Sequence, residues 1–393
     1  MAVERGRRSR GGAMIHGGLL LEFMMMTMIR AMMLPAGVWA SEAEVKSNLT
    51  VIEMKVQNLY PESFDWDAKH NRFLVGSTSQ GRLVTVTEEG VVEDFVKDED
   101  YAGAGAMILG VTVDSARNRV LAVVHKTMDR PHGRPMDVVV AYDLDSKKRT
   151  LFVKLMEEEE DGSVSGSKNF VANDVAVDGD GNAYVTNSRG YSIWKVTPEG
   201  GKSVFIDSVP QLPIAVEVEF QKMVTLNGIV HYDGYILFSQ TNSGALFRVK
   251  LADKEVRAVK IKDGTVMPGA DGMALRPDGS LVVVSMHTAY LLSSRDSWGS
   301  ATVLDKVLLD AADFSSSATV VNESRVFTIH QHYFESLKGV TLDSFKILEI
   351  DFPSDSHDSP LWLLVIVGIF AALVLAWKFQ LSRFNKEYNK KRV

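Results

Sequence analysis

The chain has 393 residues, 46% hydrophobic and 24% charged, enough for one large or two ordinary domains around a packed core. Its net charge is −7 and no basic stripe crosses its middle, which excludes nucleic acid as an expected partner. Cysteine is absent, which rules out disulfides, a thiolate nucleophile and a Cys-based zinc site.

Residues 1–40 read as a signal peptide or other targeting segment. Arg5, Arg7, Arg8 and Arg10 precede an apolar, Met-rich stretch, and Val38 and Ala40 flank Trp39 as in a signal-peptidase site. Glu22 and Arg30 interrupt the run, and an internal Met such as Met14 or Met24 is an alternative start.

Residues 41–355 carry one pattern repeatedly: a polar opener, a β-rich stretch, an Asp- or Gly-containing turn and a returning apolar strand. Glu62 opens ESFDWDAKHNRFLVGST, Asn173 opens NDVAVDGDGNAYVTNS, Asn227 opens NGIVHYDGYILFSQTNS and Asp271 opens DGMALRPDGSLVVVSMH. Aligned on their turns, two further hairpins place Leu109 and Ser317 in the same column. A unit of ~50 residues with four short strands is a propeller blade. Six such units predict an all-β, six-bladed β-propeller. The strand at 49–56 is expected to pair into the last blade and close the ring, removing an exposed edge. The runner-up fold, a long β-sandwich array, predicts no constant register of polar openers.

In a propeller the innermost strands face a central channel, so one column forms a ring at one depth. Taken singly, an Asn-Asp or Asp-Gly pair ordinarily makes a turn. Shared by four hairpins, the column points to ligands: two carboxylates and two amide oxygens suit a hard cation preferring 6–8 oxygens. Calcium fits best, with Mg²⁺ or Mn²⁺ as alternatives. The returning strands should end at the same mouth about fifteen residues after each opener, at Thr78, His125, Asn187, Asn242, His287 and the His330-Gln331-His332 cluster. Here His287, His125 and His330 are candidate general bases, and Asp271 could activate water or attack directly.

The chain's end differs in kind. After a juxtamembrane linker (356–360), residues 361–377 read LWLLVIVGIFAALVLAW, uncharged and long enough to cross a bilayer. Trp362 and Trp377 stand where interfacial aromatics belong, and a buried core helix is the alternative. The tail 378–393 is basic, with Lys378, Arg383, Lys386, Lys390, Lys391 and Arg392, so the positive-inside rule places it in the cytosol. A signal peptide with this anchor predicts a single-pass type I membrane glycoprotein of the secretory pathway, its propeller lumenal or extracellular. Asn48 and Asn322 head the glycosylation sequons.

The arrangement resembles the regucalcin (senescence marker protein)/gluconolactonase family of six-bladed propellers, related to paraoxonase, diisopropyl fluorophosphatase and strictosidine synthase. Pro61-Glu62-Ser63 with Trp66 is similar to the family's Glu-Gly-Pro-x-Trp opening. Asn173-Asp174, Asn227-Gly228 and Asp271-Gly272-Met273 follow in the family's order. The resemblance implies Glu62, Asn173, Asn227 and Asp271 as ligands of a catalytic calcium, and hydrolysis of a lactone, ester or phosphotriester. This sequence departs from the pattern at Val171, where sugar lactonases carry a substrate-holding Arg, and at Leu109 in the ring. It also has Gly272 where paraoxonases have Asn. Val171 and Leu109 favour an apolar lactone or ester. Strictosidine synthases mostly lack the metal column. The alternative is a non-catalytic, metal-stabilised propeller that binds a lumenal or extracellular partner.

Overall fold

The computed structural model describes residues 49–103, 105–126, 136–156, 170–309, 314–352 and 361–390. The segment 1–40, Asn48 and the linker 356–360 lie outside the described residues.

Six antiparallel sheets follow one another along the chain, each ordered from the channel outward. Their innermost strands are Pro61–Asp67, Ala106–Asp114, Ala172–Val177, Leu226–Tyr232, Ala270–Leu275 and Ser315–Val321. Each touches the next, and the sixth returns to the first, so the sheets close as a six-bladed propeller. We number the blades 1 to 6 in that order. The expected closure is present: Val51–Lys55 pairs antiparallel with Ser344–Ile350 as the outermost strand of blade 6. Blade 5 gains a further edge, where Lys260–Ile261 runs parallel to Ser300–Leu308.

Strand residues alternate between two buried faces, not between core and solvent. In blade 1, Phe73 and Val75 pack toward blade 6 while Leu74 packs toward blade 2. In blade 2, Val120, Ala122 and Val124 face blade 1 while Leu121 and Val123 face blade 3. Six hydrophobic clusters result, one between each pair of adjacent blades, which is why these strands read as nearly continuous apolar runs.

Near the channel, polar side chains stitch the blades together. Asp65 accepts from the Val113 N–H (2.7 Å) and Asp174 from the Ile229 N–H (3.1 Å). Thr186 donates to the Asn227 carbonyl (2.8 Å) and Thr241 to the Ala270 carbonyl (2.7 Å). These bonds satisfy backbone groups that no ladder reaches.

The C-terminal helix Leu361–Lys390 is long and apolar enough to cross a membrane. Its Val367–Lys390 part has a mean hydropathy of 1.3, and none of it is buried among the described residues. It continues through much of the basic tail without a break.

Candidate functional site

Every innermost strand carries a β-bulge at the same level. In each, two residues oppose one on the neighbouring strand: 62–63, 109–110, 173–174, 227–228, 271–272 and 316–317. A bulge re-aims side chains, and here it sets the register of the ring. Its first members are Glu62, Leu109, Asn173, Asn227, Asp271 and Ser316. The sixth position is therefore Ser316 and not the expected Ser317, because the blade 6 hairpin pairs Ser315 with His330. One residue of slip moves a side chain to the other side. Ser316 donates to the Glu62 carbonyl, whereas Ser317 lines the opposite end of the channel.

The glycine at the second bulge position in blades 4 and 5 has a steric cause. A Cβ on Gly228 would lie 2.2 Å from the Asp271 carbonyl oxygen, and one on Gly272 would lie 2.7 Å from that of Ser316. Asn227-Gly228 and Asp271-Gly272 are thus not turns. They mark where neighbouring inner strands approach too closely for a side chain.

Glu62, Asn173, Asn227 and Asp271 all line one cavity of about 320 Å³. Among the described residues, Glu62 Oε2, Asn173 Oδ1 and Asp271 Oδ1 are buried acceptors without a hydrogen-bond partner. Such atoms are costly unless something satisfies them. Burial is the main cause holding the Glu62 carboxyl well above its ordinary range, with the Asp271 and Asp174 charges adding to it. Asp271 is raised for the same reason, burial first and then Asp174, with the Asn227 side chain bonding to it in opposition. Deeper in the channel, burial pushes Asp174 up to about 7. Two carboxylates and two amides, three of their oxygens unsatisfied, form a donor set that fits a hard divalent cation. Among the described residues no cluster of three or more His, Cys, Asp or Glu side chains is placed to hold a metal. The candidate ligands here include two amides and no imidazole.

A second column completes the cavity. It lies one residue beyond the register partner of the position before each bulge, and comprises Thr78, His125, Ser188, Thr241, Met286 and Gln331. All except Thr78 line the cavity. Of the candidate bases, His125 sits in this column and on the cavity wall. His330 lies one residue short of it and is fully buried, outside the lining. His287 lies one residue past it and packs at a tilt on Phe314, with ring centroids 4.7 Å apart. Asp271 is in the ring itself.

The rest of the wall comes from a segment joining blades 3 and 4 and from the connection between the second and third strands of blade 6. A short helix at Glu219–Lys222 brings in Phe220 and Gln221, and one at Tyr333–Leu337 brings in Tyr333. Phe220 packs on Tyr333 (5.2 Å) and Phe334 (5.5 Å), which meets Phe314 at 5.2 Å. Met107, Leu109 and Val171 make the wall beside His125 and Asn173 apolar, and Arg189 supplies a cation.

The fold and this arrangement define a class: a six-bladed propeller with an oxygen-rich ring at the floor of a largely apolar cavity. No protein-family model matches the chain, and no curated protein matches it. Solved structures with a similar fold include the major Malassezia sympodialis allergen Mala s 1, at 18% identity over 77% of this chain and 96% of that one, with a TM-score of 0.62. Luciferin-regenerating enzyme matches at 12% identity over 77% and 94%, TM-score 0.51. The Xanthomonas campestris gluconolactonase XC5397 matches at 15% over 78% and 90%, TM-score 0.50. At these identities the likeness is one of fold.

Proposed function

We propose that the protein is a membrane-anchored, calcium-dependent hydrolase of the lactonase, esterase or phosphotriesterase type. Glu62, Asn173, Asn227 and Asp271 would hold the cation, with Mg²⁺ or Mn²⁺ as alternatives. The observation that carries this reading is the convergence of three buried, unsatisfied oxygens from separate blades on one cavity floor. A bound divalent cation would polarise a carbonyl or phosphoryl oxygen. The apolar wall at Met107, Leu109 and Val171 favours a substrate with an apolar body, such as an alkyl lactone or aryl ester. Arg189 at the rim offers a charge to an anionic product. XC5397, a gluconolactonase with a similar fold, supports lactone hydrolysis as the reaction class.

The helix Leu361–Lys390 supports a membrane anchor. With residues 1–40 as a signal peptide, the protein would be type I, its propeller lumenal or extracellular and its tail cytosolic.

The test is calorimetric titration of metal-stripped full-length protein with calcium, then a panel of lactones, aryl esters and phosphotriesters. Binding with turnover abolished by chelation supports the reading. Equal turnover by metal-free protein refutes it. A second reading, a non-catalytic propeller whose cation is structural, is favoured by Leu109 and Ser316, which interrupt the ligand ring. It predicts that chelation lowers the melting temperature while no substrate turns over.

A further inference from the structure

The cavity holds a second device beside the ligand ring. His125 is the penultimate residue of the second strand of blade 2 (Arg119–Lys126), and Asp137 lies directly opposite it on the third (Met136–Asp143). The His125 Nδ1 lies 2.8 Å from Asp137 Oδ1. Asp137 is itself buried, and the same oxygen accepts the Ala172 N–H at 2.9 Å. Ala172 immediately precedes Asn173, so the carboxylate is clamped between the imidazole and the backbone next to a proposed ligand. Among the described residues, His125 is the one histidine on the cavity wall.

We propose that His125 and Asp137 form the proton-transfer dyad of this site, with His125 as general base and Asp137 as the residue that positions it. This rests on the hydrolase reading above. A carboxylate acceptor at Nδ1 fixes the proton there and leaves Nε2 as the basic nitrogen. Nδ1 is committed to the interior of the blade, so Nε2 is the nitrogen available to the cavity. In lactone hydrolysis, Nε2 takes a proton from water as the water oxygen bonds to the carbonyl carbon. The carbonyl π pair moves onto its oxygen. When the tetrahedral species collapses, the ring C–O bond breaks and the departing alkoxide takes the proton back from Nε2. One water is consumed, one hydroxy acid is released, and the imidazole ends neutral. The Asp137 charge stabilises the imidazolium in between without accepting its proton. Asp271 is then left to its ligand role, and His287 and His330 are left out of the chemistry.

The test uses the calcium-loaded full-length chain in detergent, labelled with [¹⁵N]histidine, with phenyl acetate and an alkyl δ-lactone as probes. The wild type should show His125 protonated on Nδ1, identified as the resonance lost in His125→Gln. Asp137→Asn should shift that tautomer and lower kcat by ~10²-fold or more, the scale of general-base catalysis. KM should stay within about threefold and calcium affinity should be unchanged, which a merely structural role would not produce. His125→Gln should show the same kcat loss, guarding against misfolding of one variant. An Nε2-protonated His125 in the wild type, or turnover surviving both substitutions, overturns the dyad while the metal reading stands. Absence of turnover by calcium-loaded wild type refutes the hydrolase reading, and the base with it.

Discussion

Gly228→Ala tests the geometry on which the ring depends. The added methyl would sit 2.2 Å from the Asp271 carbonyl oxygen and 2.9 Å from the Gly272 Cα. Real Cβ contacts do not fall below 3.0 Å, so the inner strands of blades 4 and 5 must part locally by about 0.8 Å. Neither obstacle is a flexible side-chain end; both are backbone. Overpacking of this kind costs ~1–3 kcal/mol. The displacement falls between Asn227 and Asp271, two of the four proposed ligands, so calcium affinity should drop ~10-fold or more, as when groups that orient ligands are lost. Urea unfolding measured with and without calcium, together with calorimetric titration, separates the two effects. Gly234→Ala is the control. That glycine has φ +78° in a hairpin turn with nothing near its missing Cβ, so it should cost ~1 kcal/mol and leave calcium affinity alone. If Gly228→Ala matches the wild type in both measurements, the inner strands do not approach as described and the glycine is only a turn residue.

Asp271→Asn should weaken calcium binding by at least about 100-fold yet stabilise the metal-free protein at pH 8, because it removes a buried charge facing Glu62 and Asp174; a less stable metal-free variant would contradict this. Burial also makes the metal-free wild type sensitive to pH. With Glu62 and Asp271 raised and Asp174 near 7, the native state binds more protons than the unfolded chain above pH ~4. That stability is fully present below pH ~4 and is lost as pH rises through 7. The melting temperature of chelated protein should therefore fall from pH 5 to 8, and saturating calcium should abolish the slope. Ile52→Ala should cost ~2–5 kcal/mol in urea melts, since Ile52 is fully buried where the first strand closes blade 6. Deleting residues 361–390 should release the protein from membranes washed with alkaline carbonate, and retention would refute the anchor.

Much of this architecture was legible in the chain. The hairpins, their ~50-residue recurrence and the closing strand are local patterns, written in turn residues and apolar runs. The four polar openers were legible because a shared column is a one-dimensional signal. The mouth was less so. Counting about fifteen residues from each opener blurred three adjacent columns. His125 falls in the cavity-lining one, while His330 and His287 fall one residue to either side. A strict offset from the position before each bulge separates them, yet the bulge itself leaves no mark in sequence. For the same reason Ser317 was read in place of Ser316. Phe220 and Tyr333 carried no signal at all, because they reach the cavity from short helices in connections outside the hairpin repeat.

The sequence by itself determined the strands, the number of blades, the oxygen-bearing column and an apolar C-terminal helix, since each depends on residues close together along the chain. Only the tertiary structure decided which side chains share the cavity. Ring closure and the aligned bulges bring Glu62 and Asp271, some 200 residues apart in the chain, close enough for the Asp271 charge to raise the Glu62 pKa. The same closure brings Gly228 against Asp271, Asp137 against the backbone of Ala172, and Phe220 against Tyr333. Those approaches follow from blades packing side by side and from the ring bringing distant blades to one mouth, and no stretch of a single blade contains them.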